Sequence, residues 1–109
     1  MKEDESVKDL LFSAKEQRLS LTTGGMGKIV PGSRGYLRAV FEVDDAWEGC
    51  ALIVSFSNRR MDTAVRLDAD RACMVPDGIA DTEFFHVQLI GVKPGFRIQT
   101  QPLRVRQGG

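Results

Sequence analysis

The chain contains one histidine, His86, and two cysteines, Cys50 and Cys73. These are its candidates for acid–base, nucleophilic and soft-metal chemistry. A zinc site needs about four ligands at suitable spacing. The cysteines here are far apart, form no Cys-x-x-Cys pair, and have a single histidine to join them, so no metal site is expected. His86 lies between Phe85 and Val87 in a strand-like pattern, which turns it away from the apolar face. General acid–base work needs an oriented partner, and no Ser/His/Asp or Cys/His arrangement is readable in the order of residues. His86 therefore reads as a surface or inter-subunit histidine. No catalytic residue and no cofactor are expected.

Three further groups invite a chemical reading. Gly24-Gly25-Met26-Gly27-Lys28 has the flavour of a phosphate loop. In a true one the lysine is followed by Ser or Thr, whose hydroxyl holds magnesium. Here Ile29 follows, and Thr22 stands where the first glycine belongs, so a flexible break is expected. Asp44, Asp45 and Glu48 surround Trp47. Calcium loops spread alternating oxygen ligands over about twelve residues, and this run is too short. It reads as a polar turn that folds Trp47 onto the core. Lys93, Arg97, Arg104 and Arg106 gather near the C-terminus, with Arg104 and Arg106 on one strand face and Leu103 and Val105 on the other. This is either a solvated face that guards against edge pairing or a docking surface for an acidic partner. Nucleic acid is not the expected partner, since no aromatics interleave there.

The scaffold for these residues is small. With 109 residues the chain is too short for a two-domain enzyme, a (β/α)₈ barrel or a complete doubly wound fold. Hydrophobic residues make up 42%, enough for a real core. Fifteen basic residues balance fifteen acidic ones. A protein that wraps duplex DNA or coats an anionic membrane carries a basic surplus, and none exists. The N-terminus, Met1-Lys2-Glu3-Asp4-Glu5-Ser6, is acidic and has no apolar h-region. No stretch reaches the roughly 18 to 20 apolar residues of a spanning helix. A soluble protein made in the cytoplasm, without a signal peptide or a membrane partner, is expected, and a cytosolic origin favours two buried thiols over a disulfide.

Ser6 to Gln17 is helical in pattern. Val7, Leu10, Leu11 and Ala14 fall at i, i+3, i+4 and i+7, and Ser6 with Asp9 resembles an N-terminal cap. From Arg18 the period becomes two. Arg18 to Thr22 alternates as a half-buried strand. The glycine break, Lys28-Ile29-Val30 and a Pro31-Gly32 turn follow. Gly35 to Val43 is a longer strand, with Leu37, Ala39, Phe41 and Val43 on one face. Cys50 to Ser57 is almost wholly apolar and suits a central strand covered on both faces. Thr63 to Leu67 alternates. Cys73-Met74-Val75 is a short strand stopped by Pro76, with one helical turn over Asp77 to Ala80. Phe84 to Gly91 is a strong strand. Phe96 to Thr100 and Leu103 to Gln107 close the chain as one strand bent at Pro102.

With no crossover helices, the strands are expected to pair antiparallel, and two stacked sheets bury the apolar faces most economically. The expected fold is thus all-β: an antiparallel immunoglobulin-like β-sandwich over residues 18–109 with a short N-terminal helical arm, residues 1–17. A helix of about three turns is marginal unless its stripe docks. Val7, Leu10, Leu11 and Ala14 are therefore expected to bind a partner, and a chain without residues 1–17 is expected to fold but not to assemble.

From Ser33 onward the chain resembles small Ig-like domains in structural proteins of tailed phages and prophages, of the baseplate upper protein, minor tail and head-fibre or decoration types. The resemblance rests on an ordered set: Ser33-Arg34-Gly35, Asp45-Ala46-Trp47-Glu48-Gly49, Ala51-Leu52-Ile53-Val54-Ser55-Phe56, Cys73-Met74-Val75-Pro76, Phe85 to Gly91, Thr100, and Leu103 to Gly109. The N-terminal segment and the Gly24–Gly27 break depart from it. The resemblance implies a virion component in many copies, working by contacts with sister or neighbouring subunits, with Trp47, Cys73 and Pro76 as core anchors and Arg97, Arg104 and Arg106 as a basic docking face. The competing expectation is a carbohydrate-binding or adhesion module on the same sandwich. It would need an exposed aromatic platform, drawn from Trp47, Tyr36 or the phenylalanines.

Overall fold

The computed structural model of the protein describes residues 8–22 and 37–106. Val7, the Gly24–Gly27 break, Lys28-Ile29-Val30, the Pro31-Gly32 turn, Tyr36 and residues 107–109 lie outside them. The strands are β1 (Lys8–Lys15), β2 (Arg18–Leu21), β3 (Leu37–Val43), β4 (Ala51–Ser57), β5 (Asp62–Arg66), β6 (Ala72–Met74), β7 (Phe84–Lys93), β8 (Phe96–Gln99) and β9 (Leu103–Arg106). Among the described residues they form two sheets. One has the order β2-β1-β3-β6. The other has the order β5-β4-β7-β8, with β9 also on β7. The two stack as a sandwich around one core, and the described residues are all-β apart from short 3₁₀ turns at Asp45–Trp47 and Ile79–Asp81.

Period-two hydrophobicity places the core. Leu37, Ala39 and Phe41 from β3 face Leu52, Val54 and Phe56 from β4 and Phe85, Val87 and Leu89 from β7, and all are buried. β4 is central, as its composition requires, but only one of its faces is sealed: Ala51, Ile53, Ser55 and Ser57 remain half-buried. The C-terminal segment is bent as expected. β8 and β9 share one edge of β7, and Thr100 joins them. Its N–H donates to the Leu89 carbonyl at 3.0 Å, and its hydroxyl accepts from the Leu89 N–H at 3.1 Å. One buried side chain thus satisfies the backbone where the strand breaks.

The N-terminal helix is corrected by the structure. Residues 8–15 form strand β1, inside the first sheet between β2 and β3. Leu10, Phe12 and Ala14 are buried in the core. The sequence over this stretch satisfies two periods at once, because positions i and i+4 share a face in a helix and in a strand. Pairing decides between them. A strand here gains a ladder on each side, and Phe12 stacks on its neighbour Phe41 with ring centroids 4.9 Å apart. A lone three-turn helix has no such return. Residue 17 therefore marks no boundary between arm and sandwich.

The expectation of purely antiparallel pairing is corrected as well. β1 runs parallel to β3, with Lys8 beside Leu37 and Ala14 beside Val43. Parallel neighbours need a connection of a dozen or more residues. The hairpin strand β2 and residues 23–36 supply that length without a described helix.

Candidate functional site

The acidic turn is structural. Asp44 caps the Asp45–Trp47 turn: its Oδ1 accepts from the Ala46 N–H and its Oδ2 from the Glu16 N–H, both at 3.0 Å. Trp47 is 2% exposed and donates Nε1–H to the Glu16 carbonyl at 2.9 Å. The turn carboxylate and the indole thus clamp the β1–β2 hairpin, where Glu16 has φ +54°. Left-handed backbone is costly for a residue with a Cβ, and these two bonds hold it. Asp45 and Glu48 point to solvent. Trp47 is therefore the core anchor the sequence implied, and it offers no surface platform for a sugar.

The two thiols are free. Cys50 precedes β4 and Cys73 lies on β6 in the other sheet, both half-buried against the core. Burial pushes the Cys73 thiol up from 9.0 to about 11, and the charge of Asp68 adds to the rise. Such a group is a poor nucleophile. Pro76 is half-buried just beyond β6, and its carbonyl accepts from the Ile79 N–H at 3.2 Å, opening the second 3₁₀ turn. No cluster of three His, Cys, Asp or Glu side chains able to hold a metal occurs among the described residues.

Folding brings His86 next to residues that are distant in the chain. Across the second sheet one row reads Asp62, Ser57, His86, Arg104. The types suggest a hydrolytic triad, but the order does not. A triad needs the carboxylate beyond the histidine, to orient and stabilise the imidazolium. Here Asp62 lies beyond the serine, and a cationic arginine lies beyond the histidine. The ring of His86 instead meets Phe84 edge-on, 5.6 Å between centroids. The row is a surface, as expected for His86.

The docking residues separate into two outcomes. Leu10 and Ala14 are 2% and 1% exposed within their own domain, so they cannot meet a partner. Leu11 alternates to the opposite face of β1 and is half-buried. Arg97, Arg104 and Arg106, by contrast, are exposed. Alternation puts all three on the outer face of the second sheet, along its β8–β9 edge. Arg104 stacks over Phe84, its guanidinium carbon 4.6 Å from the ring centroid, and Arg97 donates to the Gln99 side chain. Lys93 leaves the group: its ammonium donates to the Glu48 carbonyl and lies over Phe96.

The same outer face carries a feature that sequence reasoning missed. Ile53 of β4 pairs with Ile90 of β7, and Ala51 with Val92. Their side chains form a half-buried apolar strip on the face away from the core. The signal is present in the near-continuous apolar run of residues 50–56, a pattern that a strand covered on both faces would share. A groove of about 720 Å³ lies elsewhere, between the β1–β2 turn and the β8–β9 link; it is open and lined largely by polar residues such as Lys15, Gln17, Arg18 and Gln101.

No protein-family model, curated protein or solved structure matches the chain. Among the described residues no helix is long and apolar enough to cross a membrane.

Proposed function

We propose that this protein is a structural component of a tailed-phage or prophage particle, in the tail, baseplate or head, and that it acts by protein–protein assembly contacts. The observation that carries the reading is the outer face of the second sheet. An apolar strip, Ile53, Ile90 and Val92, has Arg97 beside Val92, and Arg104 and Arg106 lie farther along the same face. An apolar centre with an arginine-bearing margin is the make-up of a recognition surface, and the arginines select an acidic partner.

Two structural points support an Ig-like sandwich of the phage type. β3 and β6 lie in one sheet and β5, β4, β7 and β9 in the other, the strand order of an Ig-like domain whose C′ strand joins the C–F–G sheet. The parallel strand β1 is an addition to that plan. In addition, Trp47, Gly91 and Pro76, from the motifs that carry the resemblance, hold the fold together rather than line a cleft. The carbohydrate reading loses Trp47 to the core.

The test is quantitative mass spectrometry of gradient-purified particles induced from the strain that encodes the chain. Its peptides are expected in fixed ratio to known particle proteins. Their absence from intact particles would sink the proposal. A particle lacking the chain after Ile90→Asp, in a variant that still folds, would assign the contact to the outer face.

A further inference from the structure

Among the described residues, strand β5 is an outer strand of the second sheet with one edge open. Two bonds fix the phase of its ladder with β4. The Leu67 N–H donates to the Leu52 carbonyl and the Asn58 N–H to the Met61 carbonyl, both at 2.9 Å. In an antiparallel pair, hydrogen-bonded and non-bonded positions alternate. Thr63 and Val65 therefore turn their backbone groups toward β4, and Asp62, Ala64 and Arg66 turn theirs to the open edge. The side chains of Asp62, Ala64 and Arg66 are exposed. Neither charged one forms an ion pair among the described residues.

We propose that this edge pairs with the β5 edge of a second copy of the chain, antiparallel and about a two-fold axis at Ala64. The proposal rests on the assembly reading above and names one of its contacts. In that register Asp62 stands opposite Arg66 of the partner subunit, and Arg66 opposite the partner's Asp62. The small Ala64 meets its own copy on the axis. All three positions are in the hydrogen-bonded phase, so each pair exchanges both N–H···O bonds. On the inner face Thr63 meets the partner's Val65, and each domain's core is extended by its neighbour's.

The charges choose this register over its neighbours. Sliding by one pleat in one direction sets Arg60 opposite the partner's Arg66. Sliding in the other sets Asp62 opposite the partner's Asp68. Both shifts place like charges in contact, which is unfavourable across strands. An edge charged only to repel would carry one sign. Opposite signs spaced evenly about an alanine are complementary to themselves, and an isologous contact closes as a dimer.

Sedimentation velocity on the full chain, from about 1 μM to about 1 mM, tests this. The expected result is a reversible dimer. Asp62→Arg alone and Arg66→Asp alone each weaken it at least about tenfold, and the double variant restores it. Ala64→Pro removes an outward N–H and no bond to β4, and abolishes the dimer. Restoration by the double variant shows that loss in the single variants is not misfolding. An oligomer indifferent to both charge reversals overturns the β5 contact while the assembly reading stands. A monomer at every concentration overturns the β5 contact, and with it self-assembly as the mode of action.

Discussion

The indole of Trp47 lies on Gly91 so closely that a methyl group there would come within 2.7 Å of Cε3 and 3.0 Å of Cζ3. The same position faces Cys50 Cβ at 3.1 Å. A turn residue and a strand residue are thus fitted by the absence of one side chain. The ring cannot retreat, because Nε1 is tied to the Glu16 carbonyl. Gly91→Ala is therefore expected to cost about 1–3 kcal/mol, the usual penalty of overpacking. Urea unfolding followed by the fluorescence of the single tryptophan measures it. Unchanged stability would mean the ring shifts freely.

The hairpin on the other side of the indole carries strain that a substitution can release. Glu16 adopts φ +54°, and both its clamping bonds use backbone atoms. Glu16→Gly keeps those bonds and removes the Cβ clash, so a gain of up to about 1 kcal/mol is expected. Asp44→Ala removes the acceptor for both the Ala46 and Glu16 N–H groups, and a loss of about 1–3 kcal/mol is expected. The two variants should move the thermal midpoint in opposite directions.

Strand β1 makes the N-terminal segment part of the core. Removal of residues 1–17 takes away an interior strand and exposes Phe41, which stacks on Phe12. The truncated chain is expected to show no cooperative unfolding transition. Phe12→Ala in the full chain is expected to cost about 3–5 kcal/mol. A truncated chain that kept a sharp transition would show that the sheet closes without β1.

The Cys73 thiol, raised to about 11, gives a pH signature. Its folded value lies above the 9.0 of an unperturbed thiol, so its contribution to stability is full below pH 9 and is lost as pH rises through about 11. Near pH 8 its thiolate fraction is about a hundredfold below that of an ordinary cysteine, and iodoacetamide labelling slows accordingly. Asp68→Asn keeps a side-chain oxygen for the Asp70 and Ala72 N–H groups, removes the adjacent negative charge, and should speed labelling. Peptide mapping after timed alkylation reads both effects.

Strands β3 and β7 were legible in the sequence because each is long enough for alternation to be unambiguous, and β4 because its run is almost wholly apolar. Leu37, Ala39 and Phe41, or Phe85, Val87 and Leu89, fit no helical stripe. Trp47 was legible as a core residue because polar turn residues flank it. The interior role of Leu10 and Ala14 was not, since their spacing serves either period and the apolar Val7 and Leu11 complete a helical stripe that competes with the alternation through Phe12.

The amino-acid order by itself determined that the chain forms short strands with one apolar face, that Trp47 turns inward, and that β8 and β9 break at Pro102. These follow from side-chain alternation and turn chemistry, which act over a few neighbouring residues. Only the tertiary structure decided that residues 8–15 extend rather than coil, that β1 runs parallel to β3, and that Ile53 and Ile90 meet on an outer face that also carries three arginines. Each of those outcomes depends on which distant strand is adjacent, and cross-strand hydrogen bonding and packing are set by the whole assembly of strands, not by any segment within it.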